Sequence, residues 1–168
     1  MTLAKHKDQR VAVLIDVQNM YHSAKNIYHS KVNFANILET AISDRKLIRA
    51  FAYVVKTKTG EEKPFFDALT NLGIETRVRE LQEFYGGMKK ADWDVGISID
   101  AVKTAPGVDA IVLVSGDGDF IQLVEYLKNQ GKRAEVMAFG KSTSSRLKEI
   151  ADEFIDLGAT PQKYLLKK

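Results

Sequence analysis

Residues 11–16 read Val11-Ala12-Val13-Leu14-Ile15-Asp16, and this stretch decides the fold. Five consecutive apolar residues without polar alternation describe a strand buried on both faces, the situation of a parallel sheet covered by helices on each side. An acid closes the run, and a helix follows from about Asn19 through Tyr28. The same grammar returns at Ala110 to Val114, again wholly apolar, which runs into Ser115-Gly116-Asp117-Gly118-Asp119-Phe120.

Between and beyond these strands the chain alternates. Asn33 caps a helix with Phe34, Ile37, Leu38 and Ala41 at helical spacing. Ile48 to Val55 is a second strand, Pro64 opens a helix that Gly73 closes, and Ile74 to Val78 is a third strand. Asp92 caps a helix to about Lys103, which Pro106-Gly107 ends. After the strand at Ala110, Ile121 to Leu127 is helical with Gly131 as its stop, and Arg133 to Phe139 is a fifth strand. A short helix from about Ser144 and the segment Phe154 to Leu157 near the sheet edge complete the pattern. The alternation predicts an α/β protein: a single-domain, three-layer α/β/α sandwich around a mostly parallel five-stranded sheet. Right-handed crossovers with one reversal of winding predict the strand order 3-2-1-4-5. The domain is expected over residues 10–158, with 1–9 a flexible amino-terminal segment and 159–168 a carboxy-terminal tail.

Length and composition narrow the class. With 168 residues the chain forms one domain. It has no cysteine, which excludes disulfide frameworks, thiolate zinc sites, iron–sulfur clusters and cysteine nucleophiles. The longest apolar run, Ala50 to Val55, is far short of the roughly 20 residues that span a bilayer. The amino terminus MTLAKHKDQR lacks the apolar core of a signal peptide, so a cytoplasmic protein with no membrane partner is expected. A net charge of +3 permits a nucleic-acid partner without requiring one.

In such sheets ligands bind beyond the carboxyl ends of the strands, where the winding reverses. The predicted order puts that point between strand 1, which ends in Asp16, and strand 4, which ends in the loop of Asp117 and Asp119. Asp94, in the first turn of its helix, shares a face with Ile97, Ser98 and Ala101 and is the inward candidate. Asp100 is rotated about 120° away, on the face of Gly96, Lys103 and Thr104. Two unit charges 4 Å apart repel by about 4 kcal/mol at an effective dielectric near 20. Four convergent carboxylates therefore call for protons or a divalent cation, and an all-oxygen ligand set suits Mg²⁺ or Mn²⁺. Such ions bind phosphates and activate water, so the chemistry points to phosphate esters.

Taken singly, each acid has an ordinary structural explanation. Asp16 can cap the following helix, Asp117 and Asp119 flank Gly118 in a turn, and Asp94 in a first turn suits the helix dipole. Their convergence on one sheet edge is what marks a site. His22 and His29, seven apart on one helix face, read as a solvated stripe. Lys89, Lys90, Lys141 and Arg146 offer a basic rim for a phosphodiester backbone, with ordinary solvated charge as the alternative. Phe84 and Tyr85 can stack on a base or pack on the core. Ser142 to Ser145 offers a helix amino terminus to a phosphate, or ordinary capping.

Three stretches together resemble a known family: Val11 through Asn19, Lys90-Ala91-Asp92-Trp93-Asp94 with Asp100, and Val114 through Phe120. They resemble the NYN domain, which is PIN-like, and Ser144, Leu147 and the run Ala151 to Leu157 fit its limkain/LabA-type branch. The resemblance spans about residues 10 to 158. It implies a PIN-like sandwich and metal-dependent ribonuclease activity. It assigns Asp16, Asp94, Asp117 and Asp119 to the acidic metal-binding and catalytic positions. Asn19 matches the polar residue after the first strand, and Asp100 matches a recurrent acid. Ser115 joins Asn19 in orienting ligands. Val17 stands where glycine is frequent and Gly118 where serine is frequent; neither departure removes a carboxylate. The expectation is hydrolysis of RNA phosphodiester bonds with Mg²⁺ or Mn²⁺. Two rivals are a non-catalytic RNA-binding or regulatory NYN module and a haloacid-dehalogenase-like phosphatase. The phosphatase needs a second acid two residues after the first, where this chain has Gln18.

Overall fold

The computed structural model describes residues 5–57, 59–83, 89–90 and 92–166. Six strands form the main sheet: β1 (Arg10–Asp16), β2 (Lys46–Lys56), β3 (Glu75–Glu80), β4 (Ala110–Val114), β5 (Arg133–Ala138) and β6 (Glu153–Asp156). Their order is β3-β2-β1-β4-β5-β6, and every neighbouring pair is parallel. The order of the first five agrees with the sequence reading. The sixth strand extends the sheet beyond it, because Glu153–Asp156 pairs in register with Glu135–Ala138 although its ends are polar.

Helices α1 (Val17–Ser23), α2 (Phe34–Ile42) and α3 (Lys63–Asn71) cover one face; α4 (Asp94–Thr104), α5 (Ile121–Asn129) and α6 (Ser145–Ile150) cover the other. Successive strand residues point to opposite faces. Val11, Val13 and Ile15 accordingly pack with Met20, Ile37 and Leu69, whereas Ala12 and Leu14 pack with Ile97, Ala101 and Leu127. Burying β1 on both faces consumes every apolar residue of the run, each fully buried Val or Leu contributing about 1.5–3 kcal/mol.

Local signals set the boundaries. Asp16 accepts the Asn19 backbone N–H and caps α1, and Asn33 accepts that of Asn36 and caps α2. Gly73 and Gly131 take positive φ after α3 and α5, as their closing role requires. The helix expected through Tyr28 widens into a π-helical turn over Ala24–Tyr28 and stops at His29, φ 52°.

Both termini are tied down over their described residues. Gln9 is buried and accepts from the Arg45 guanidinium at 2.9 Å, and Lys5 lies 2.6 Å from Glu153. The tail folds back as α7 (Pro161–Tyr164), whose Tyr164 is buried, and Leu165–Leu166 pairs antiparallel with Lys31–Val32. The expected flexible segment and tail are thus anchored where described; residues 1–4, Lys167 and Lys168 lie outside the described residues.

The end of the sheet opposite the strand carboxyl ends carries a buried ionic network. Glu135 accepts from Arg45 at 2.6 and 3.0 Å and from Arg133 at 2.9 Å. Arg45 also donates to the Ala41 and Ile42 carbonyls.

Candidate metal centre

Because the strands are all parallel, their carboxyl ends share one edge, and the winding reverses between β1 and β4. Ile15 pairs with Val114, so the next residues, Asp16 and Ser115, stand side by side. Ser115 Oγ donates to Asp16 Oδ2 at 3.0 Å and accepts the Asp117 N–H at 3.3 Å. Asp117 Oδ1 in turn accepts the Asp119 N–H at 2.9 Å, which folds the turn so that both acids face one space. Asn19 Oδ1 receives the Gly116 N–H at 2.9 Å. A Cβ on Gly116 would lie 2.7 Å from Thr143 Oγ1, so only glycine lets this loop pass beneath the approach to α6.

Asp94 enters from the start of α4, held there by Trp93. The indole N–H donates to the Val54 carbonyl at 3.0 Å, and the ring packs against Tyr53 with centroids 5.4 Å apart. The Arg79 guanidinium lies 4.3 Å from its ring centre and donates to the Asp92 carbonyl at 2.6 Å. Gly96 makes room, since a Cβ there would sit 2.5 Å from Trp93 Cε3.

Asp94, Asp117 and Asp119 each present a carboxylate oxygen within 4.8 Å of the other two. Burial, the Asp117 charge and a hydrogen bond with the Asp119 carboxyl raise the Asp94 pKa to about 7. Asp16 stands behind this trio, buried, with its oxygens engaged by the Asn19 N–H and the Ser115 hydroxyl. Burial pushes its pKa up, opposed by those two hydrogen bonds. Asp92 adds negative charge felt by both Asp94 and Asp16, and also accepts the Asp94 N–H at 3.4 Å. In the sequence Asp92 reads as a helix cap and as part of the resembling stretch; the structure instead puts Trp93 at the cap position, and the bearing of Asp92 on the site depends on how the chain enters α4.

The other described candidates have contacts of their own outside the trio. Asp100 accepts from Tyr53 Oη at 2.9 Å and pairs with Arg77 at 3.3 Å, away from the trio. Arg146 is exposed beside Glu125 and Glu149, at 3.9 and 3.5 Å. The Lys141 ammonium lies 5.8 Å from the Tyr28 ring centre. Lys89 and Lys90 form a two-residue strand antiparallel to Gln82–Glu83, but their side chains lie outside the description, as do Phe84 and Tyr85 entirely. Ser144 caps α6 by accepting the Leu147 N–H, the ordinary role.

Fold and site together define a doubly wound α/β domain with an acidic cluster at the reversal of its sheet. Residues 10–158 match the NYN domain, and the chain belongs to that family, within the PIN-like nuclease superfamily. It is 30% identical to the low amplitude and bright protein LabA of Synechococcus elongatus, over 90% of this chain and 85% of LabA, consistent with the LabA-type branch. It is 26% identical to the uncharacterized protein MJ0482 of Methanocaldococcus jannaschii, over 90% of this chain and 56% of that protein. The crystal structure of VPA0982, a protein of unknown function from Vibrio parahaemolyticus, superposes with a TM-score of 0.87 at 32% identity, covering 98% of this chain and 100% of that one. Among the described residues no helix is long and apolar enough to cross a membrane.

Proposed function

We propose that this chain is a ribonuclease that hydrolyses RNA phosphodiester bonds with Mg²⁺ or Mn²⁺. The observation that carries the reading is the trio of Asp94, Asp117 and Asp119, whose oxygens converge within 4.8 Å while the Asp94 pKa is driven to about 7. That electrostatic cost is what a divalent cation relieves. The donors are all oxygen, with no histidine or cysteine among the described members of the group, which fits a hard cation.

When bound, the ion supplies charge stabilisation for a phosphoryl oxygen and lowers the pKa of water. Asp94, Asp117 and Asp119 would hold it. Asp16, through Ser115, fixes the turn that presents Asp117, and Asn19 ties that turn to α1. Lys141 and Arg146, with Lys89 and Lys90, would draw the RNA backbone toward the acidic centre. A cytoplasmic location belongs to the same reading.

The test incubates end-labelled single-stranded RNA with protein cleared of contaminating ribonuclease, in Mn²⁺, Mg²⁺ or EDTA, beside Asp117→Asn. Cleavage that needs metal and vanishes in the variant is the expected result. RNA bound but uncut would overturn the nuclease reading in favour of a binding module. Equal cleavage by both proteins would remove Asp117 from the machinery.

A further inference from the structure

On the sheet face opposite the acidic trio, a cleft of about 520 Å³ opens between α1 and α3 over the carboxyl end of β2. We propose that it is a nucleobase pocket serving the nucleotide beside the phosphate held at the acidic centre. The inference rests on the nucleic-acid reading above.

Position is the first argument. Val17, in the wall of the cleft, directly follows Asp16, so cleft and acidic centre are two sides of one strand end. The volume lies in the range of about 300–1,000 Å³ typical of small-ligand sites.

Chemistry is the second. Tyr21, Phe65 and Phe66 supply aromatic surface, with the Phe65 and Phe66 rings 6.0 Å apart at 52°. Such surface takes the face of an unstacked base. The polar groups are few. Gln18 offers an amide, which both donates and accepts. Glu62 lines the cleft, and its Oε1 accepts the Thr57 N–H at 3.1 Å and the Thr57 hydroxyl. A carboxylate only accepts, so the complement of Glu62 in a ligand is an N–H. A lipid tail would offer Gln18 and Glu62 no polar partner, whereas every nucleobase carries an N–H on its pairing edge. The exposed Lys31 and His22 also line the cleft, which suits a ligand bearing phosphate.

The experiment is an NMR titration in EDTA with each of the four nucleoside 5′-monophosphates, using ribose 5-phosphate as the base-free control. Nucleotides are expected to bind at least about tenfold more tightly than ribose 5-phosphate. Tyr21→Ala and Glu62→Gln should each weaken the nucleotides about fivefold or more while leaving ribose 5-phosphate unchanged. Tyr21 is half exposed, so its truncation leaves the fold intact, and Glu62→Gln preserves shape. Equal binding of sugar phosphate and nucleotide, no binding, or no response to either variant would overturn the pocket. Base-dependent binding without RNA cleavage would leave the pocket standing and remove the nuclease reading; cleavage without base-dependent binding would do the reverse.

Discussion

The backbone N–H of Gly116 donates to Asn19 Oδ1 at 2.9 Å, joining the loop after β4 to the first turn of α1. With the Ser115–Asp16 bond it makes two cross-ties over the reversal point of the sheet. Asn19→Ala removes one tie and leaves the Gly116 N–H to find another partner. A loss of about 1–3 kcal/mol is expected in thermal or chemical unfolding, with weaker Mn²⁺ binding by calorimetry. Unchanged metal affinity would show that the tie serves stability alone.

The raised pKa of Asp94 makes a signed prediction for the metal-free protein. Its ordinary value is 3.8 and its folded value about 7, so between those pH values the native state keeps a proton that the unfolded chain releases. Stability from this group is complete below about pH 4 and is lost as pH rises through 7. The side chain is partly open to solvent, and screening leaves the effect at about 1–2 kcal/mol. Denaturant titrations in EDTA at pH 5 and pH 8 should show the difference, and Asp94→Asn should flatten it.

Gly96→Ala should separate helix propensity from packing. Alanine gains about 1 kcal/mol of helix propensity. Its Cβ would nevertheless meet Trp93, whose ring is fixed by Val54, Tyr53 and Arg79. A net loss of about 1–2 kcal/mol is expected, with reduced Mn²⁺ affinity because Trp93 precedes Asp94. A stabilised variant with normal metal binding would show that the ring yields freely.

Removing Glu135 strands the buried Arg45 guanidinium, whose charge-paired contacts are lost together. Glu135→Ala should cost about 3–5 kcal/mol in chemical unfolding. A loss below about 1 kcal/mol would mean that water reaches Arg45.

Much of this is legible in the sequence because strand ends and helix faces are local properties. The apolar runs at Val11 and Ala110 mark the central strands, and their closing acids mark Asp16 and Asp117. Helical periodicity separates Asp94 from Asp100, which the structure pairs with Tyr53 and Arg77. The Arg45–Glu135 contact spans 90 residues and depends on how the sheet is assembled, which periodicity does not encode. The cleft likewise draws its walls from segments as distant as Val17, Phe65 and Leu166, and Tyr164 reads as a tail residue until its docking is known.

The two ends of the sheet solve the same electrostatic problem differently. At one, the protein supplies its own countercharge, with arginines closing on Glu135. At the other, the acids of the trio stand together, and among the described residues none of them forms an ion pair with a basic side chain. The domain therefore has a self-sufficient pole and a pole that answers to its surroundings. Chelators should act on the second and leave the first nearly untouched, making the molecule's response to divalent metal a property of one edge.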